Sequence, residues 1–363
     1  MKKILFYGEL PPFVFNGISL SNEINLLQLS DSFLIEKIIE HTDLDYENSG
    51  RSRKLLRIIS DLIKVLHKQL KFRSDYFYMS LPTSVLGAAK VLLLLYFAKI
   101  ITVGKCKVIL HLHRGDFNFC FINNLKFRLI IKLLMRKTHK IVALSEGHKK
   151  DISEYIDVNK ISVLRNTILE FDLNNRPKLS YPIKKILYMS NYLEDKGIVD
   201  LLNAFSSIKI KNKNCKFFQQ LELHCYGKFL DENIKSKILS FNNKNDIFIN
   251  DSISGDQKFK ALLDSHIVIL PSKNEGQPLI IIEAMYCGKL IACSDVGFVS
   301  EMLPPNYPFL YVRLDEKGIC SFLSDLKYLT YCEYSRLCHS LSTVYSKNFS
   351  SEMHKIQLLE VFD

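Results

Sequence analysis

Short apolar segments alternate with helical patterns along the whole chain, and this alternation constrains the fold more than any other feature. ILFYG, DYFYM, KVILHLH, KIVAL and ISVL supply strands in the first half, and KILYM, LELHCY, DIFIN, HIVIL and LIACS supply them in the second. Strands that are apolar along their length, each followed by a helix, form parallel sheets covered on both faces. Between the two sets lies a polar stretch with two prolines and no clear period, taken as a linker over residues 173–184. At 363 residues the chain is long enough for two domains, each burying its own core. The expectation is an α/β protein of two Rossmann-like domains with parallel sheets facing across a cleft, over residues 1–172 and 185–345. Residues 346–363 form a terminal helix after a break near Asn348-Phe349-Ser350.

The N-terminus, MKKILFYGELPP, has only a short apolar run followed by an acid and prolines, so it reads as a strand and not as a signal peptide. Nine cysteines without close CxxC pairs fit reduced thiols in the cytoplasm. No group of His, Cys and acids has metal-ligand spacing, so no bound metal is expected. The loop after the first strand lacks the three spaced glycines of a dinucleotide fingerprint, which argues against NAD.

Charge is unevenly placed. Residues 1–172 carry 26 Lys and Arg against 17 Asp and Glu, a net of +9 out of the chain's +11. Two stretches concentrate it, from Arg51 and from Asn123, each mixing cations with apolar residues at helical spacing. Such helices either pack on a sheet with solvated lysines or lie on an anionic membrane as a peripheral contact. Ser84 to Val103 approaches spanning length, but Lys90 and Lys99 leave only eight uninterrupted apolar residues, too few to span. No pattern of a nucleic-acid module accompanies the charge.

The segment Pro271 to Glu301 places Glu275 and Glu283 around an apolar helix start. Pro278 suits the first helical position and Gly288 stops the helix after about Cys287. LIIIEAMYC is apolar all round and should be buried, so Glu283 needs either an ion pair or hydrogen-bond donors such as ligand hydroxyls. Glu275 beside Gly276 lies where a helix N-terminus can receive a phosphate.

This segment resembles the donor-site motif of retaining glycosyltransferases of the GT-B fold, family four or group one, standing here as PS, EG, EAM and CG. The resemblance implies that Glu283 holds the ribose of a nucleotide sugar. It likewise implies that Glu275, with Gly276, Gln277, Pro278 and Leu279, holds the sugar and diphosphate. YMSNYLEDKG resembles the family's diphosphate loop, with Lys196 matching its Lys and Asn191 standing where an Arg is usual. Asn16 and Gly17 stand in the loop that approaches donor and acceptor, Asn16 replacing the first of two glycines. His113 with Arg114 matches a His beside the transferred sugar, and Asp116 follows on the acceptor side. His111 reads as a core histidine. Tyr226 and Gly227 match the base pocket, while Ser145, Glu146 and Asn166 match structural landmarks.

The family also implies that the last helix returns to the N-terminal domain. The function implied is metal-independent hexosyl transfer, with retention, from a nucleotide-diphosphate sugar to a glycan or lipid-linked acceptor, as in surface polysaccharide or lipopolysaccharide synthesis. Catalysis would fall to His113, Lys196 and Glu275, with no cofactor beyond the donor itself. Two rivals share the fold: a nucleotide-sugar epimerase, and an inactive binding partner for which Asn16 and Asn191 would speak.

Overall fold

The computed structural model describes residues 1–40, 51–171 and 181–363, so residues 173–180 of the expected linker lie outside the described residues. Twelve strands are seen among them. They are β1 (Lys3–Gly8), β2 (Leu34–Ile39), β3 (Tyr76–Ser80), β4 (Lys107–His111), β5 (Lys140–Ala143), β6 (Ile161–Val163), β7 (Lys185–Met189), β8 (Glu222–Tyr226), β9 (Ile247–Asn250), β10 (Ile267–Leu270), β11 (Leu290–Ser294) and β12 (Leu310–Tyr311). The first seven helices are α1 (Gly17–Leu29), α2 (Arg51–Phe72), α3 (Val85–Ile101), α4 (Phe117–Asn123), α5 (Leu125–Lys137), α6 (Glu146–Ser153) and α7 (Ile198–Lys211). The remainder are α8 (Lys216–Gln219), α9 (Glu232–Leu239), α10 (Gly255–Asp264), α11 (Leu279–Tyr286), α12 (Glu316–Leu326), α13 (Tyr331–Asn348) and α14 (Ser351–Val361).

The chain divides into two compact units, Met1–Leu169 with Ser350–Asp363, and Glu170–Phe349. Each is built on a six-stranded sheet, ordered β2-β1-β3-β4-β5-β6 in the first and β12-β11-β10-β7-β8-β9 in the second. All the strand pairs are parallel, with registers such as Ile4 opposite Tyr76 and Ile267 opposite Ile186. The α/β class and doubly wound order follow the apolar strand pattern. Edge strands β2 and β12 escaped the sequence reading. LIEKII carries Glu36 and Lys37 in mid-strand because an edge is half solvated, and β12 has only two residues.

In the first unit, α2, α3 and α5 cover one face of the sheet. Val65, Val91, Leu94, Phe127, Ile131 and Leu134 share a core with Phe77, Val108 and Leu110. The opposite face is covered by α1 and α14, with Leu26, Leu29, Leu358, Val361 and Phe362 packed on Phe6, Tyr78 and Ile109. Helix α14 is therefore part of the N-terminal unit's core. Gln28 donates to Ser351 O at 3.0 Å, the His354 ring lies 2.6 Å from Gln28 Oε1, and the Tyr76 hydroxyl donates to Phe362 O.

The Ser84 to Val103 stretch is helical over α3 and only half covered: Leu86, Leu93, Tyr96, Phe97 and Ile100 of the helix, and Val103 beyond it, are exposed. Among the described residues, no helix is long and apolar enough to cross a membrane.

Candidate functional site

Ligands of open α/β sheets bind beyond the strand C-termini where the strand order reverses. In the second unit β7 and β10 are neighbours at that reversal, so the loops following them share one edge. Those loops carry Asn191 and Lys196 after β7, and Ser272 to Pro278 after β10. Lys273 N donates to Asp195 O at 2.7 Å and ties the two loops together. Lys196 Nζ reaches across to Glu275 Oε1 at 2.8 Å and to Asn274 O at 3.1 Å. Two residues singled out separately in the sequence thus form one ion pair.

Backbone geometry fixes this arrangement. Gly197 follows Lys196 at φ +70, and a Cβ there would meet Pro271 O at 2.1 Å, so only glycine lets the β7 loop lie against the β10 loop. Gly297, at φ +58 in the loop after β11, would bring a Cβ within 1.9 Å of Glu275 O. Phe298 N donates to Gly276 O at 3.2 Å from the same loop. The loop that carries Glu275 is thereby packed against the loops after β7 and β11.

Helix α11 begins one residue later than its sequence indicates. Pro278 is the N-cap, with ψ 126, and not the first helical residue, because its extended backbone stays outside the helix. Cys287 is the C-cap, and Gly288 at φ +63 ends the helix as expected. Glu283 is buried on this helix, and Lys258 of α10 lies 2.5 Å from its Oε1. Its Oε2 is buried with no hydrogen-bond partner. The ion pair and the demand for further donors therefore coexist on one carboxylate. Ser272 Oγ, also buried, has no partner either. Gln277 is buried, and Gly276, Pro278 and Leu279 are half-buried.

On the other side of β7, Tyr226 ends β8 and Gly227 follows it. A Cβ on Gly227 would lie 2.2 Å from Ser190 O, so close packing of the loops after β7 and β8 requires this glycine. Asn191 O accepts from Leu193 N at 2.9 Å, which makes it a turn residue of the loop ending at Lys196.

In the first unit, His113 lies two residues beyond β4 and its ring packs at a tilt against His111, with ring centroids 3.9 Å apart. His111 is a core residue whose Nδ1 lies 2.6 Å from the Tyr78 hydroxyl. Both Nε2 atoms are buried without partners. Burial pushes His113 down to about 3 and holds His111 well below the usual imidazole range, so both rings are neutral near pH 7. Arg114 and Asp116 form a two-pronged pair, with Nε to Oδ1 at 3.1 Å and an η-nitrogen to Oδ2 at 2.6 Å. Burial raises the Asp116 carboxyl, but the hydrogen bond and charge of Arg114 outweigh it and hold the group below its ordinary value.

Asn16 is the N-cap of α1: its Oδ1 accepts from Ser19 N at 2.8 Å and its amide donates to Glu9 Oε2 at 2.7 Å. A capping box with Ser19 completes the turn, and Gly17 is the first helical residue. Ser145 caps α6, and the Ser21 hydroxyl donates to Asn166 Oδ1 at 3.0 Å. Among the described residues no cluster of His, Cys, Asp and Glu is arranged to hold a metal.

Two contributors were invisible in the sequence. Lys258 sits in GDQKFKALLD, an ordinary amphipathic helix, and meets Glu283 only because the fold brings the two side chains together. Gly297 lies in the segment already quoted, but only the close approach to Glu275 explains it.

Residues 174–313 match the family model of the glycosyl transferases group 1. The chain is 26% identical over 166 residues to the poly(ribitol-phosphate) alpha-N-acetylglucosaminyltransferase of Staphylococcus aureus, a match covering 45% of this chain and only 31% of that protein. An uncharacterized glycosyltransferase of Methanocaldococcus jannaschii is 23% identical over 70% of this chain and 68% of its own. Among solved structures, HepE of Anabaena in complex with UDP-glucose superposes with a TM-score of 0.72 at 16% identity, covering 100% of this chain and 99% of that one. TarM of S. aureus gives 0.63 at 17% identity over 83% of this chain and 59% of that one. Two parallel doubly wound units with these neighbours define the GT-B fold. The match to the glycosyl transferases group 1 is confined to residues 174–313, and the GT-B likeness is one of fold.

Proposed function

We propose that the protein transfers a hexose, with retention, from a nucleotide-diphosphate sugar to a glycan or lipid-linked acceptor of a cell-surface polysaccharide. The observation that carries the reading is the pairing of Lys196 with Glu275 at the strand-order reversal of the second unit, in the loop that leads to α11, where a buried Glu283 keeps one oxygen unpartnered. An ammonium has three N–H donors, and two are occupied by Asn274 O and Glu275 Oε1. The third is available to a phosphate oxygen. Glu283 Oε2 suits a ribose hydroxyl, which can donate a hydrogen bond where no protein group does. Tyr226 and Gly227 are assigned to the base, and the Gly17 loop to the diphosphate.

In the reaction the bond from the sugar C1 to the diphosphate oxygen breaks, and a new bond forms from C1 to an acceptor hydroxyl on the same face. The acceptor proton passes to the departing diphosphate. Charge building on that leaving group is met by Lys196 and the N-terminus of α11, without a metal ion or other cofactor. Glu275 orients the sugar and holds Lys196. His113, neutral at working pH, offers a hydrogen bond to the transferred sugar. Asn16, Arg114 and Asp116 are assigned to the acceptor side.

A relative solved with UDP-glucose makes that compound the first donor to try. Thermal denaturation with a panel of nucleotide sugars tests the donor site: at least one should raise the melting temperature of the wild type but not of Glu283→Ala. If none does, the site assignment fails.

A further inference from the structure

We infer that the outer surface of the α2, α3 and α5 layer docks on an anionic lipid bilayer. Helix α2 has three faces. Ile58, Val65 and Gln69 are buried toward the sheet. Leu55, Leu56, Ile59, Ile63, Leu66 and Leu70 are exposed, and at 3.6 residues per turn they fall within an arc of about 100°. Arg53, Lys64 and Lys71, all exposed, lie along the far border of that arc. A helix that only packs on a sheet has no use for a second apolar stripe turned to water.

The stripe continues on the neighbouring helices. Helix α3 packs on both α2 and α5. It exposes Leu93, Tyr96, Phe97 and Ile100, and α5 exposes Leu125, Leu129 and Leu133 among the exposed Lys126, Lys132, Arg136 and Lys137. The three helices share one core cluster beneath them, so these side chains belong to one layer.

Charge identifies the occupant. The three helices hold seven, two and five lysines and arginines against a single acid, Asp61, which the Tyr7 hydroxyl engages from the sheet at 2.6 Å. A second copy of the chain would bring the same positive charge against this surface and be repelled. An anionic lipid surface supplies both an apolar layer for the leucines and counter-charges for the bordering cations. The inference rests on this layer alone and is independent of the donor site.

The test is co-sedimentation of the full chain with phosphatidylcholine vesicles, with and without about 30% phosphatidylglycerol, at about 0.1 M salt. The wild type should pellet with the anionic vesicles and much less with the neutral ones. Ile59→Glu/Ile63→Glu should weaken binding by at least about tenfold, since each isoleucine loses its burial in lipid. Arg53→Glu/Lys64→Glu/Lys71→Glu should abolish the preference for anionic lipid. Circular dichroism melts check that each variant folds, and Ile59→Ser/Ile63→Ser replaces the double glutamate if that one does not. Wild-type protein remaining in the supernatant with anionic vesicles would overturn the inference. So would folded variants that pellet unchanged, or a self-association that the variants abolish without any lipid binding.

Discussion

Lys258 Nζ lies 2.5 Å from Glu283 Oε1, and the other oxygen of that buried carboxylate has no partner. One cation from α10 thus makes the burial of Glu283 tolerable while leaving Oε2 as an acceptor. A second cation at Oε2 would stabilise the empty protein and block a hydroxyl ligand; none at all would leave an uncompensated charge.

Lys258→Met is therefore expected to destabilise the protein by about 3 kcal/mol, because removing one member of a buried pair strands the other. Adding Glu283→Leu should restore most of that stability by removing the stranded charge, while donor binding stays lost. Urea melts and nucleotide-sugar titrations of the single and double variants check both halves. A double variant that still bound donor normally would show that Glu283 does not contact it.

Gly297→Ala should displace the Glu275 loop, since its Cβ would overlap Glu275 O and its φ of +58 strains any L-residue. The expected outcome is a higher KM for donor with a smaller fall in kcat, together with a stability loss of about 1–3 kcal/mol. Gly17→Ala is the control: nothing lies within 4 Å of a Cβ built there, so its stability should change little. Urea melts on both variants check the stability contrast, and steady-state kinetics on Gly297→Ala separate a positional effect from general damage.

The sheets and the motif of the second unit were legible because their signals are local. Apolar runs of parallel strands and the Glu275 to Gly288 spacing need no tertiary information, and they predict β7, β8, β10, β11 and α11 to within a residue or so. What the sequence concealed is relational. Whether Glu283 would find an ion pair or a ligand depended on Lys258, 25 positions away and on another helix. Asn16, read as a replaced loop glycine, is also an N-cap that donates to Glu9, a role set by the start of α1. Edge strand β2 was missed because its mid-strand charges answer to solvent on one side.

His148 and His354 predict an acid-sensitive first unit. Burial holds them at about 4 and about 3, against about 6.5 for an unfolded histidine. Between those values the unfolded chain binds more protons than the folded one, so stability rises with pH. The contribution is complete above about pH 6.5 and is lost as pH falls toward 4 and then 3. Each group should give a slope of up to about 1.4 kcal/mol per pH unit. His354→Gln should reduce the difference between urea melts at pH 6.5 and pH 5, and an unchanged difference would rule His354 out as a source.

Phe362 is expected to anchor α14 to the first unit. Its ring meets Tyr76 and Phe33 at centroid distances of 5.3 Å, and its carbonyl accepts from the Tyr76 hydroxyl. Phe362→Ala should cost about 3–5 kcal/mol through the cavity it leaves. Limited proteolysis should then release a C-terminal fragment faster than from the wild type.

Lys196 and Asn191 make the sharpest test of how the diphosphate is held. With Asn191 where the family resemblance leads one to expect an arginine, the β7 loop carries one cation that the proposed reaction could use, and that cation is already engaged by Glu275. Lys196→Ala should lower kcat by about 10²–10³-fold, the range seen when a single stabilising donor is removed from a transition state. Asn191→Arg supplies a second cation with a forked donor set matched to phosphate oxygens, and should lower the donor KM. In the Lys196→Ala background it should recover part of the lost kcat. If Lys196→Ala leaves kcat unchanged, Lys196 is a structural partner of Glu275 and the leaving group is stabilised elsewhere. Failure of Asn191→Arg alone would place the two side chains on different sides of the loop, a narrower correction that leaves the role of Lys196 intact.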